Sequence, residues 1–162
     1  MNNVIRKLSL FLLSIIWSSI GHSEILEIYS WKPHPGKANE LMASMQEAAE
    51  IHADLGIGVT ISALGIGTSG DVDYVLSYED IESWGKLKDA TSSSQRWNAF
   101  YQKLGENPSG ELIQSFMMTN HDASSRVNPF SQAGSIVGFF RWEPALGLAG
   151  SEALRQGFMT AK

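Results

Sequence analysis

The sequence predicts an α+β fold, a ferredoxin-like β-α-β-β-α-β module over residues 24–120. Three observations carry this reading. Short segments rich in β-formers recur at 24–31, 57–64, 72–78 and 111–119. Helical apolar stripes fall at 37–55 and again across 80–104, which gives the β-α-β-β-α-β order. The composition is that of a folded domain, 43% hydrophobic and only 18% charged.

Residues 1–23 stand apart from that module. Arg6 and Lys7 precede an almost wholly apolar run from Leu8 to Trp17, and Gly21 and Ser23 are small residues ahead of Glu24. The run is short for a bilayer span, which takes roughly 20 residues. The segment reads as a Sec-type signal peptide cleaved near Ser23/Glu24, the alternative being an uncleaved anchor. The expected location is periplasmic or secreted, with no membrane attachment after cleavage. Cleavage removes Arg6 and Lys7 and no acid, leaving 10 Lys and Arg against 17 acids, a net charge of -7. No Lys/Arg cluster is present, so nucleic acid is not an expected partner. The chain has no cysteine, which removes disulfides and thiolate metal sites and leaves the core to hold the fold.

The elements follow in order. Glu24–Trp31 is rich in β-formers. Lys32–Gly36 is a turn, because Pro33 and Pro35 oppose both helix and ladder. Lys37–Leu55 is a helix with Ala38, Leu41, Met42, Met45, Ala48, Ala49 and His52 on one face, and Gly56 ends it in the left-handed region. Ile57–Leu64 and Val72–Tyr78 form a hairpin through the glycine-rich GIGTSGD. Asp80 caps a short helix with Ile81, Trp84 and Leu87 on one side. TSSS then leads to a second helix with the stripe Trp97, Phe100, Tyr101 and Leu104. GENPSG breaks it, and Glu111–Thr119 is the fourth strand. The helices cover one face of this sheet. The other face is expected to carry Tyr29, Val75 and one set of side chains from the last strand. It is too apolar for water, which predicts a homodimer through the sheet face.

Residues 121–134 read as a linker. Beyond them Ile136, Trp142, Pro144, Gly147 and Ala149 repeat Ile25, Trp31, Pro33, Gly36 and Ala38 at a constant spacing of 111 residues. Residues 135–162 therefore read as a truncated second β-α unit, the partial repeat of the module. The plainer alternative is a simple C-terminal strand and helix.

The layout also resembles a known family. A strand ends in an aromatic, Pro-Gly-Lys opens a helix rich in small and apolar residues, a hairpin follows, and then DIESWGKLKDA and RWNAFYQKL. This resembles the dimeric α+β barrel superfamily, nearest to NIPSNAP-like and antibiotic-biosynthesis-monooxygenase-like modules. The resemblance implies two sheets face to face across a dimer or across tandem modules, and a pocket between sheet and helices. The superfamily includes cofactor-free oxygenases, haem-binding proteins, isomerases and members without known activity. The Asn/Trp/His set of the haem-degrading members does not map onto these residues.

The candidate chemistry is sparse. His34, between two prolines at the first turn, is of the residue type most often used as a general base, against which a turn histidine is more simply exposed. The echo has Ala145 in its place, so the turn itself does not need histidine. His52 lies on an apolar helix face, where it either projects into the pocket as a catalytic group or is a core residue with one hydrogen bond. His121, beside Asp122, sits in a loop where neighbours seldom converge. Trp31, Trp84, Trp97 and Tyr101 line a planar-ligand pocket on one reading and pack the core on the other. No histidine spacing suits a metal, GIGTSG lacks the lysine and following helix of a phosphate loop, and no nucleophile elbow is present. No cofactor is expected. Three functions remain open: an exported module binding a small molecule, a cofactor-independent monooxygenase-like enzyme on an aromatic or lipophilic substrate, and a structural or interaction protein.

Overall fold

The computed structural model describes residues 24–63, 70–120, 134, 136 and 141–160. Within them lie β1 (Ile25–Pro33), α1 (Ala38–Asp54), β2 (Gly58–Ala63), β3 (Val72–Tyr78), α2 (Ile81–Ser93), α3 (Gln95–Glu106), β4 (Gly110–Thr119) and α4 (Leu148–Thr160). The four strands form an antiparallel sheet in the order β2-β3-β1-β4, the ferredoxin-like arrangement. The segment 1–23 read as a signal peptide, residues 64–69 between β2 and β3, His121 and most of the expected linker lie outside the described residues.

Local chemistry accounts for the boundaries. Gly36 turns the chain into α1 at φ +78°, and Gly147 does the same before α4 at +94°. Both positions need a residue without Cβ. Gly56 ends α1 at φ +85°. There the Ile57 amide donates to the His52 carbonyl and the Gly56 amide to that of Ala53, each over 2.9 Å, which closes a Schellman motif. Asp80 caps α2 by accepting from the Ser83 amide over 2.7 Å. The TSSS stretch divides between the two helices. Thr91–Ser93 form the last turn of α2, with Thr91 donating to the Leu87 carbonyl and Ser92 to that of Asp89. Ser94 alone makes the corner and caps α3. Hydroxyls that bond back to the preceding turn let a polar run stay helical.

Helices α1, α2 and α3 pack on one face of the sheet. Leu41, Met45, Ala48 and Ile51 of α1 and Phe100 of α3 meet Ile25, Val72, Tyr74, Leu76 and Tyr78 in the main core. Arg96 reaches Asp54 and Glu50, and Lys103 reaches Glu47, tying α3 along α1 at the surface. Such exposed pairs align helices more than they stabilise them.

Tyr29 corrects the expected outer face. It pairs with Tyr74 and points with Ile25, Glu27 and Trp31 toward the helices. The outer cluster is Leu26, Ile28 and Val75, with Phe116 and Met118 packed on it. The cause is the parity of β1, where either phase of ILEIYSW carries apolar groups. The phase adopted turns Glu27 inward, where it finds partners. Leu26, Ile28 and Val75 are already buried within one chain, and the Arg141 guanidinium lies 6.0 Å over the Phe116 ring.

β1 and β4 change register between Ser30 and Trp31: Ser30 faces Gln114, whereas Trp31 faces Leu112. Ile113 is the extra residue of this bulge. The strand expected over Ile136–Pro144 lies partly outside the described residues, and Arg141–Pro144 are exposed and not in a strand. In α4, Phe158 packs edge-on against Trp142 at 6.4 Å.

Candidate functional site

A cavity of about 390 Å³ opens between the helical layer and the sheet. Alternation along β1 and β3 supplies its floor with Tyr29, Trp31, Tyr74, Leu76 and Tyr78, all on the helix-facing phase. Met45, Ala48 and His52, at i, i+3 and i+7 of α1, form one wall. Trp97, Phe100, Tyr101 and Leu104, the stripe of α3, form another. Lys88, Thr91 and Ser92 come from the last turns of α2, and Gly110 and Leu112 from the start of β4.

His52 is 3% exposed. Its Nδ1 lies 2.8 Å from the Tyr74 hydroxyl, and Trp97 packs on its ring with centroids 4.5 Å apart. Burial and then the nearby Lys88 charge lower the imidazole pKa from 6.5 to about 4, against smaller opposing effects of Glu27 and the Ala48 carbonyl. Burial raises the Tyr74 hydroxyl pKa. The pair is therefore neutral at neutral pH, one group donating to the other.

Glu27 is the centre of a second polar group. Its Oε1 accepts from the Trp84 indole over 2.8 Å. Its Oε2 accepts from Tyr29 at 3.1 Å, Tyr78 at 3.2 Å and Lys88 at 3.2 Å. Burial opposes the charge, but these donors and the Lys88 ammonium outweigh it and hold the pKa below 4.5. Burial and the adjacent carboxylate push the Tyr78 hydroxyl upward. The ion pair is thus a carboxylate saturated with donors, beside an ammonium that also reaches the Tyr29 hydroxyl at 3.4 Å.

The sequence candidates separate in space. Trp31, Trp97, Tyr101 and His52 meet on the cavity wall, with Tyr101 63% exposed at its mouth. Trp84 is not on that wall and serves Glu27 instead. His34 is likewise off the wall. Its amide donates to the Ser109 carbonyl and its carbonyl accepts from the Lys37 amide, each at 2.9 Å, so its backbone holds the first turn against β4. Glu27, Tyr29, Lys88 and Tyr74 were missed as site residues. The one sequence signal for them was a charged residue within an otherwise apolar strand, Glu27. Among the described residues no group of three His, Asp or Glu side chains converges to hold a metal. Nor is any helix there long and apolar enough to cross a membrane.

Comparison with known proteins bears on the fold. No family model matches the chain, and no curated protein matches it. Solved structures do. A NIPSNAP family protein of unknown function from Agrobacterium tumefaciens superposes with a TM-score of 0.53 at 18% identity, over 67% of this chain and 95% of that one. An uncharacterized NIPSNAP domain protein from Burkholderia xenovorans does so with a TM-score of 0.51 at 17% identity, over 62% and 95%. With its four-stranded antiparallel sheet and α1, α2 and α3 on one side of it, the chain has the ferredoxin-like α+β fold, similar to that of these NIPSNAP structures.

Proposed function

We propose that this is an exported, dimeric α+β protein that holds a small, mainly apolar molecule between its sheet and its helices. The observation that carries the reading is the cavity of about 390 Å³, walled by aromatic and aliphatic side chains. Protein interiors are otherwise packed to crystal density, and ligand sites run from about 300 to 1,000 Å³. A purely structural module would close such a space.

The titratable groups favour binding over turnover. A general base at neutral pH works best with a pKa near 7, whereas His52 has a pKa of about 4 and is already bonded to Tyr74. Glu27 spends its lone pairs on four donors. Export rests on the charged and apolar pattern of residues 1–23. Dimerisation rests on narrower ground than a whole open face. Phe116 and Met118 are half-buried, and Leu112, Ile113 and Met117 leave apolar surface exposed along the edge strand β4.

The test is recovery of the native protein from the exported fraction, followed by native mass spectrometry. The expected result is a chain beginning at Glu24 that carries a small molecule, released on activation. Protein that arrives empty and takes up no apolar probe would end the binding reading.

A further inference from the structure

The cavity wall carries one formal charge. Among its described lining residues only Lys88 is ionised: no Asp, Glu or Arg is among them, and His52 is neutral. The carboxylate that pairs with Lys88 is absent from the lining, its oxygens covered by Trp84, Tyr78 and Tyr29. The Lys88 side chain, by contrast, lines the cavity and is 39% exposed. An ammonium has three N–H donors. Glu27 and the Tyr29 hydroxyl take two, at 3.2 and 3.4 Å. The nearby hydroxyls do not compete with it as donors, because Thr91 and Ser92 give their protons to backbone carbonyls of α2.

We propose that Lys88 recognises the head of the bound molecule, which makes the ligand class a carboxylate with an apolar body. This rests on the binding reading above and specifies its ligand. The apolar body lies among Trp31, Met45, Trp97 and Phe100. The head meets the open side of the Lys88 ammonium at the wetter end of the cavity. Glu27 then has a positioning role. It anchors the ammonium from behind while remaining shielded from the head group by its own donors. A charge-assisted hydrogen bond in a mostly apolar surround discriminates strongly between an anion and its neutral isostere.

Calorimetry on the full mature chain tests this with two matched pairs: decanoate against decanol, and 2-naphthoate against 2-naphthalenemethanol. The wild type is expected to bind at least one acid about tenfold more tightly than its alcohol, as one charge-assisted hydrogen bond allows. In Lys88→Met the preference should vanish while alcohol binding is retained, and Lys88→Arg should keep it. Lys88→Met/Glu27→Gln removes both charges, and should show the same loss if the single variant folds poorly. Equal binding of acid and alcohol by the wild type would overturn the assignment and leave the apolar cavity standing. A preference that survives Lys88→Met would overturn the role of Lys88. Binding of neither pair would overturn both the assignment and the binding reading.

Discussion

His52 shows how one buried side chain couples the site to solvent pH. The folded imidazole titrates near 4 and the free one at 6.5. Between those values the unfolded chain takes up a proton that the folded chain refuses, so unfolding gains as pH falls. The contribution of His52 is therefore whole above pH 6.5 and is lost progressively toward pH 4. On this reading wild-type stability in urea at pH 5 is lower than at pH 7 by about 2 kcal/mol from this group. His52→Phe, of similar bulk but without a proton site, should flatten that interval whatever its own cost. An unchanged slope would show that His52 is not buried as a neutral ring. Glu27 acts in a different window. Its lowered pKa makes its contribution complete above about 4.5 and lost as pH falls through the folded value, so the two groups separate in an acid titration.

At the level of elements, β4 approaches β1 closely at Gly110. A Cβ there would lie 2.6 Å from the Lys32 carbonyl oxygen and 3.1 Å from Leu41. Gly110→Ala should push the strand end from β1 and shrink the cavity it lines. The expected cost is about 1–3 kcal/mol, as for other overpacked sites, read as a lower urea midpoint. Wild-type stability in this variant would mean that the strand ends part freely. The sequence made most elements legible because their signals are local: Gly56 and Gly36 mark helix ends, Asp80 a cap, and the stripes of α1 and α3 their buried faces. Tyr29 was assigned to the wrong face because strand parity is set by partners distant in sequence. Trp84, Tyr78 and Lys88 lie far along the chain from Glu27, and only their convergence makes an inward carboxylate stable. Trp97 and Tyr101 on the cavity wall were therefore readable from helical periodicity, whereas Tyr29, Tyr74 and the ionic group were not.

At the scale of the whole molecule, the sheet separates two environments. One face, with the helices, encloses the cavity. The other carries the Leu26, Ile28 and Val75 cluster, bordered by Phe116 and Met118 of the edge strand β4. Pairing of two chains along that border is expected to give a dimer in sedimentation velocity of the mature protein, and a sharp monomer peak would end that proposal. The bulge at Ile113 reaches further than its one residue suggests. Without it, the regular alternation of β4 from Ser115 opposite Tyr29 would set Ile113 opposite Trp31 and Glu111 opposite Pro33, on the helix side. With it, Leu112 and Gly110 take those places and Glu111 pairs with Lys32 instead. By absorbing one residue, the bulge thus keeps a carboxylate off the cavity wall. Shortening β4 by Ile113 would straighten the strand and still leave Leu112 opposite Trp31 and Glu111 opposite Lys32, so the bulge acts as a buffer that lets strand length vary while the charge of the chamber wall stays fixed.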